Sequence, residues 1–217
     1  MTENGKKSKD ERRAAIMEIA RGAFLHDGYA ATSMSLIAAK LGGSKATLYS
    51  YFPSKKDLFF AVVDAESARV MEYLYQVDKT CTDIREASAL FCRRLITMLL
   101  SDEVIAFERI VTAEAGRFPE IGQAAYEFGY KRGLDRMEDL MRLGMEANVL
   151  RPADPRQAAE YLLNLCAGHL HQMRLWNLIA AAAPEQIESQ IALVTAAFMA
   201  LYGNDTLAAD ARRFTGL

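Results

Sequence analysis

The run Thr32–Leu58, TSMSLIAAKLGGSKATLYSYFPSKKDL, constrains this chain more than any other stretch. Ser33 offers a capping oxygen ahead of Met34, Ile37, Ala38 and Leu41, whose i, i+3, i+4, i+7 spacing draws one apolar helical stripe. Gly42 falls where that helix must leave in a left-handed conformation, which glycine adopts without a Cβ clash. Ser44 then caps a second short helix. On it Leu48 and Phe52 face inward, and Lys45, Thr47, Tyr49 and Tyr51 point elsewhere. Pro53 breaks this helix and Ser54 caps the next. Two short helices joined by so tight a turn predict a helix-turn-helix, whose second helix fits a DNA major groove about 12 Å wide. The partner this implies is double-stranded DNA.

The rest of the chain reads as helix. Five prolines and a shortage of alternating β-branched runs point to an all-α fold. A first helix from Asp10 to His26, with Ile16, Ile19, Ala20, Ala23 and Phe24 as its core stripe and Gly28 as its stop, completes a three-helix N-terminal head. That places a head over residues 1–58, with 1–9 disordered, and a larger helical body over 59–217. A long helix after Ser54 carries Leu58, Phe59, Val62, Val63, Val70, Met71 and Leu74 and joins the two. Further helices are expected over Asp83–Leu100, Glu103–Ala115, Pro119–Asn148, Arg156–Ala182 and Pro184–Gly203, with 204–217 frayed.

Charge supports the DNA reading. The net charge is −2, yet residues 1–58 carry ten Lys or Arg against six acids, and the remainder 16 against 22. The positive part coincides with the helix-turn-helix, as phosphate neutralisation requires. No apolar run approaches the ~20 residues that span a bilayer. The start, MTENGKKSKDERR, lacks a signal-peptide core, so a cytoplasmic protein off the membrane is expected. Cys81, Cys92 and Cys166 form no CxxC pair, which leaves two readings: reduced, buried thiols or a redox sensor. His169 and His171 are two apart and cannot hold one metal from the same helix face. No HExxH, phosphate-binding glycine loop or nucleophile elbow is present, so neither metal, cofactor nor catalysis is expected.

Two patterns in the body bear on assembly and ligands. Ile187, Ile191, Val194, Phe198 and Leu201 step by four, three, four and three, a heptad-like seam, and Leu162, Leu165, His169, Met173 and Trp176 step similarly. Either these stripes pack inside one chain, or the two helices pair with their copies in a four-helix bundle. A helix-turn-helix favours the second, because symmetric operators are read by dimers. Leu162, Ile187, Ile191, Val194, Phe198 and Leu201 are therefore expected at a homodimer interface. Phe91, Leu95, Met98, Phe107, Met137, Met141, Cys166, His169, Met173 and Trp176 are candidates to line a cavity, or else to form ordinary core; methionines suit an adaptable apolar site.

The chain resembles the TetR family of transcriptional regulators. The resemblance rests on Phe24–Gly28, Thr32, Ile37-Ala38, Leu41-Gly42, Ser44–Tyr49, Tyr51–Lys55 and Leu58. Glu108–Gly144, with Ala113-Glu114, Phe118-Pro119 and Gly133, together with Asp154-Pro155 and Ala158-Ala159, resembles the AefR-like type of C-terminal domain. The resemblance implies a homodimer joined by its last two helices, with an effector-binding body from which a small apolar ligand releases a palindromic operator. It also assigns Ser33 and Ser35 to the start of the supporting helix and Ser44, Lys45, Ala46, Thr47, Tyr49 and Tyr51 to the recognition helix. Lys55 falls where family members touch phosphate. Lys45 could donate to guanine or phosphate, Thr47 could meet a base edge, and the two tyrosines could bond phosphate oxygens. Tyr51 could equally pack in the head. An alternative is a DNA-binding protein of similar fold that acts architecturally or through a protein partner, without an effector. Gly43, where a β-branched apolar residue is usual, and Ala46, where glycine is common, depart from the family pattern.

Overall fold

The computed structural model describes residues 3–75 and 84–204. Among these the chain forms ten α-helices: α1 (Glu3–Ala31), α2 (Met34–Leu41), α3 (Lys45–Tyr51), α4 (Lys55–Leu74), α5 (Ile84–Leu99), α6 (Asp102–Glu114), α7 (Pro119–Ala124), α8 (Lys131–Glu146), α9 (Pro155–Leu175) and α10 (Pro184–Tyr202). A π-helical turn, Ala125–Tyr130, joins α7 to α8. The only extended pairing among the described residues is an isolated bridge between Leu150 and Gly203.

Local chemistry sets most of these boundaries. Ser33 accepts from Leu36 N at 3.1 Å, Ser44 from Thr47 N at 3.1 Å and Ser54 from Asp57 N at 3.1 Å, so three serines start α2, α3 and α4. Gly42 ends α2 at φ 67°, with Gly43 N donating back to Ala38 O and Gly42 N to Ala39 O. This is the paired C-terminal lock that a left-handed residue permits. Asn148 (φ 57°) and Asn177 (φ 59°) do the same for α8 and α9.

Several boundaries differ from the sequence expectation. Helix α1 begins at Glu3, so residues 3–9 are helical rather than disordered. Helix α9 stops at Leu175 instead of Ala182, because Asn177 takes the left-handed position. It is also interrupted at Gly168, where Gln190 Nε2 donates to the Cys166 carbonyl at 2.8 Å. The single helix expected over Pro119–Asn148 contains the π turn, whose Phe128 carbonyl accepts from the buried Ser67 hydroxyl. Asp83, Cys81 and residues 205–217 lie outside the described residues.

The chain separates into two compact units. One comprises Met1–Arg69 with Ala106–Gly129, the other Val70–Ile105 with Tyr130–Leu217. Against the single boundary expected after residue 58, the first unit reaches along α4 and takes in most of α6 and all of α7. Its core explains why. Ile16, Phe24, Tyr29, Ile37, Leu48, Leu58 and Phe59 pack with Ile110, Ile121 and Ala124, which come from α6 and α7. The second unit buries Leu95, Ile96, Leu134, Met137, Leu162, Cys166, Ile191, Val194 and Phe198.

The turn after α2 gives a direct check. A Cβ at Gly42 would meet nothing within 4 Å, so Gly42→Ala adds only left-handed backbone strain and is expected to lower stability by about 1–2 kcal/mol. Gly22, exposed within α1 and equally open, is the control; Gly22→Ala is expected to raise stability by roughly 0.5–1 kcal/mol. Thermal or urea unfolding of the two variants measures both signs.

Candidate nucleic-acid interface

Helix α3 has one buried residue, Leu48, at 0% exposure. Phe52, just past its end, is buried too, so both occupy the core as their spacing requires. The opposite edge of α3 presents Ser44, Lys45, Ala46 and Tyr49 to solvent, and Ser33 and Ser35 are exposed at the start of α2. Thr47 and Tyr51 are half-buried. Thr47 Oγ1 lies 2.9 Å from Ser44 Oγ, so these hydroxyls engage each other, and Tyr51 packs against the core of its unit. Lys45 and Tyr49 make no hydrogen bond or ion pair with the described residues and can reach outward.

The sequence reading missed two arginines. The Arg12 guanidinium stands 3.2 Å from where a Cβ on Gly43 would lie, and Arg13 stacks over the Phe52 ring at 5.0 Å. Both are exposed beside the turn and α3, where they extend the positive surface around Lys45. Gly43 therefore leaves room for Arg12, in place of the apolar side chain usual there. The signal was present in the basic run of α1, yet periodicity alone does not show that it borders the turn.

Lys55 opens α4, where the resemblance sets it, and its side chain is engaged within its own chain. Its ammonium donates to the Tyr29 carbonyl at 2.8 Å and lies over the Tyr29 ring at 4.1 Å, half-buried. Desolvation pulls its pKa down, against the opposing field of Glu114 and Glu120. Lys55 thus ties the start of α4 to the corner between α1 and α2. Tyr29 is buried against Phe24, Phe59 and Phe118, and its pKa is pushed up to about 12 by burial and the nearby Glu120.

The candidate cavity residues are only partly brought together. Leu95, Met137, Met141 and Cys166 are buried in the core of the second unit, with Phe91 and Met98 packed against it. Phe107, half-buried, packs against the core of the other unit. His169 is exposed, Met173 is half-buried, and Trp176 is 67% exposed at the end of α9, so His169 and Trp176 line no cavity core. Cys92 and Cys166 are free and buried, and their thiols share a hydrogen bond; that bond and burial push Cys166 above the usual thiol range. A cleft of about 400 Å³ lies instead between α1 and α4, lined by Arg13, Arg21 and Arg69 together with Asp10, Glu18 and Glu66. Among the described residues no cluster of three His, Cys, Asp or Glu could hold a metal ion, and no helix is long and apolar enough to cross a membrane.

The expected dimer seam requires correction. Leu162, Ile191, Val194 and Phe198 are buried in their own chain's core, and Ile187 packs against that core. Of the six, Leu201 alone is exposed. The free face of α10 is the adjacent one, carrying Ala192, Leu193, Ala196, Ala200 and Leu201, with Leu193 70% exposed.

A short, capped, outward-facing second helix on an all-α scaffold defines a helix-turn-helix DNA-binding protein. Comparison with known proteins makes this specific. Residues 16–62 match the family model of bacterial regulatory proteins of the tetR family, and residues 89–204 match the AefR-like transcriptional repressor C-terminal domain. The chain belongs to the TetR family of bacterial transcriptional regulators, a family of DNA-binding proteins rather than enzymes. Among its relatives is the transcriptional activator FasR of Mycolicibacterium smegmatis, 36% identical over a stretch that is 36% of this chain and 36% of that protein. The nucleoid occlusion factor SlmA of Pasteurella multocida is 29% identical over 76% of this chain and 83% of its own length. The structure of the flavonoid-responsive regulator FrrA superposes with a TM-score of 0.77 at 32% identity, over 89% of this chain and 98% of that one.

Proposed function

We infer that this chain is a ligand-responsive transcriptional regulator, most simply a repressor, that holds a palindromic operator as a homodimer and releases it on binding a small apolar effector. The observation that carries the DNA half is the solvent edge of α3, where Lys45, Ala46 and Tyr49 stand clear of a helix anchored by Leu48. Lys45 supplies a donor for guanine or phosphate, Tyr49 a hydroxyl for phosphate, and Arg12 and Arg13 further neutralise the backbone. Two-fold symmetry of the protein matches two-fold symmetry of the operator.

The free face of α10 supports the dimer. Ala192, Ala196 and Ala200 allow close helix approach, and Leu193 and Leu201 supply apolar area beside them. We assign the effector site to the second unit; in support, the half-buried Phe91 and Met98 pack against the core that holds Leu95, Met137, Met141 and Cys166. The flavonoid response named for FrrA supports an aromatic, largely apolar ligand. SlmA, named as a nucleoid occlusion factor, supports the second reading, a DNA-binding protein without a small-molecule effector.

A duplex enriched by the protein from a random-sequence library is expected to be palindromic. Lys45→Ala and Tyr49→Ala are each expected to weaken its binding about tenfold or more, and Lys45→Ala to flatten the salt dependence by about one unit of slope. Unchanged affinity in both would remove α3 from the contact. A panel of flavonoids that weakens this binding supports the effector; binding indifferent to the whole panel favours the second reading.

Two neighbouring positions on α10 test the dimer face. Leu193→Glu is expected to give folded monomers in sedimentation, because it places a charge in an apolar contact between copies. Val194→Glu is expected to unfold the protomer instead, since Val194 is 3% exposed in its own core. An intact dimer in Leu193→Glu would place the interface on another face.

A further inference from the structure

Glu114, the last residue of α6, directs both carboxylate oxygens at the backbone of the corner between α1 and α2. Oε1 accepts from the Tyr29 N–H and Oε2 from the Ala30 N–H, each at 2.7 Å. These lengths are at the short end for N–H···O bonds, as a charged acceptor gives. The two N–H groups need an outside partner because Gly28 (φ 80°, ψ 168°) breaks α1 just before them. The residues that follow restart a helical turn whose first donors have no carbonyl behind them. Glu114 therefore caps that turn from 84 residues away, and its negative charge suits the positive end of a helix. Gly28 serves this geometry twice. It adopts the positive φ, and it leaves the carboxylate room that a Cβ, 2.9 Å from Oε1, would deny.

The same corner holds both ends of the reading motif. Tyr29 donates its N–H to Glu114 and accepts at its carbonyl from Lys55, the first residue of α4. Thr32, buried at the entry to α2, donates to the Gly28 carbonyl at 2.7 Å. Helices α2 and α3 thus lie on the stretch of chain between two anchors, Tyr29 and Lys55, that are bonded to each other. Glu114 seats this knot on α6.

We propose that Glu114 is a positioning residue for DNA reading: its carboxylate fixes the corner that aims α2 and α3. The proposal rests on the reading of α3 as the DNA-contacting helix. Its sign separates it from simple electrostatics. Removing an acid from a DNA-binding unit should strengthen binding to a polyanion. Removing the seat lowers the fraction of heads in reading orientation, and the apparent Kd rises by the reciprocal of that fraction.

The test compares wild type, Glu114→Ala, Glu114→Gln and Lys45→Ala as full-length proteins on the duplex that the wild type enriches from a random-sequence library. Glu114→Ala is expected to bind about tenfold more weakly, with the wild-type salt slope, because the phosphate contacts of the bound state are unchanged. Glu114→Gln keeps the length and one acceptor oxygen and is expected to fall between the two. The Tyr29 and Ala30 amide protons, bonded to the Glu114 carboxylate, are expected downfield in the NMR spectrum of the wild type and further upfield in both variants. Melting and sedimentation establish that each variant is folded; should Glu114→Ala not fold, the intermediate affinity of Glu114→Gln and its amide shifts decide alone. Equal or tighter DNA binding by folded Glu114 variants, while Lys45→Ala binds weakly, overturns the positioning role and leaves the DNA reading intact. A wild-type protein that enriches no duplex overturns the DNA reading and the positioning role with it.

Discussion

Helix α3 runs for only seven residues and must keep one side bare, and the rest of the head answers to that constraint. An isolated helix needs about 12–15 residues to be even marginally stable in water. This one buries a single side chain, Leu48. Its rigidity therefore comes from outside: Ser44 caps its first turn, Gly42 fixes the entry angle, and the core of α1, α2 and α4 receives Leu48 and Phe52. A DNA-reading edge is possible because the helix is held almost entirely by its neighbours.

That dependence explains what the sequence made legible. Caps and turns are short-range, so Ser33, Gly42, Ser44 and Ser54 could be read in order, and the structure uses each of them as a cap or turn. The inward positions Ile37, Leu48 and Phe59 followed from spacing alone. Interactions across the chain left no such trace. Nothing local in Ala113-Glu114 says that its carboxylate caps a turn near residue 29, and nothing local in Lys55 says that its ammonium turns to the Tyr29 carbonyl. Arg12 beside Gly43 was hidden for the same reason.

The last two helices show where periodicity is ambiguous. A four-three repeat selects one face of a helix, but it cannot tell a core from an interface, since both demand the same spacing. In α10 the stronger apolar stripe, Ile191, Val194 and Phe198, lies within the protomer, and a weaker stripe of alanines with Leu193 and Leu201 stays outside. The break at Gly168 and the stop at Asn177 likewise passed as continuous helix, because the apolar spacing runs through both. Methionine and aromatic residues of the body were legible as apolar but not as neighbours: Phe107 packs against one core, and Leu95 and Met137 lie in the other.

Hydrogen exchange on the full-length protein, with and without its selected duplex, tests most directly the claim that α3 reads DNA from a corner fixed by Glu114. Slower exchange on DNA binding is expected across residues 33–51, and also at Tyr29 and Ala30, whose amides Glu114 holds. Unchanged exchange throughout 29–51, with slowing confined to other helices, would contradict the account.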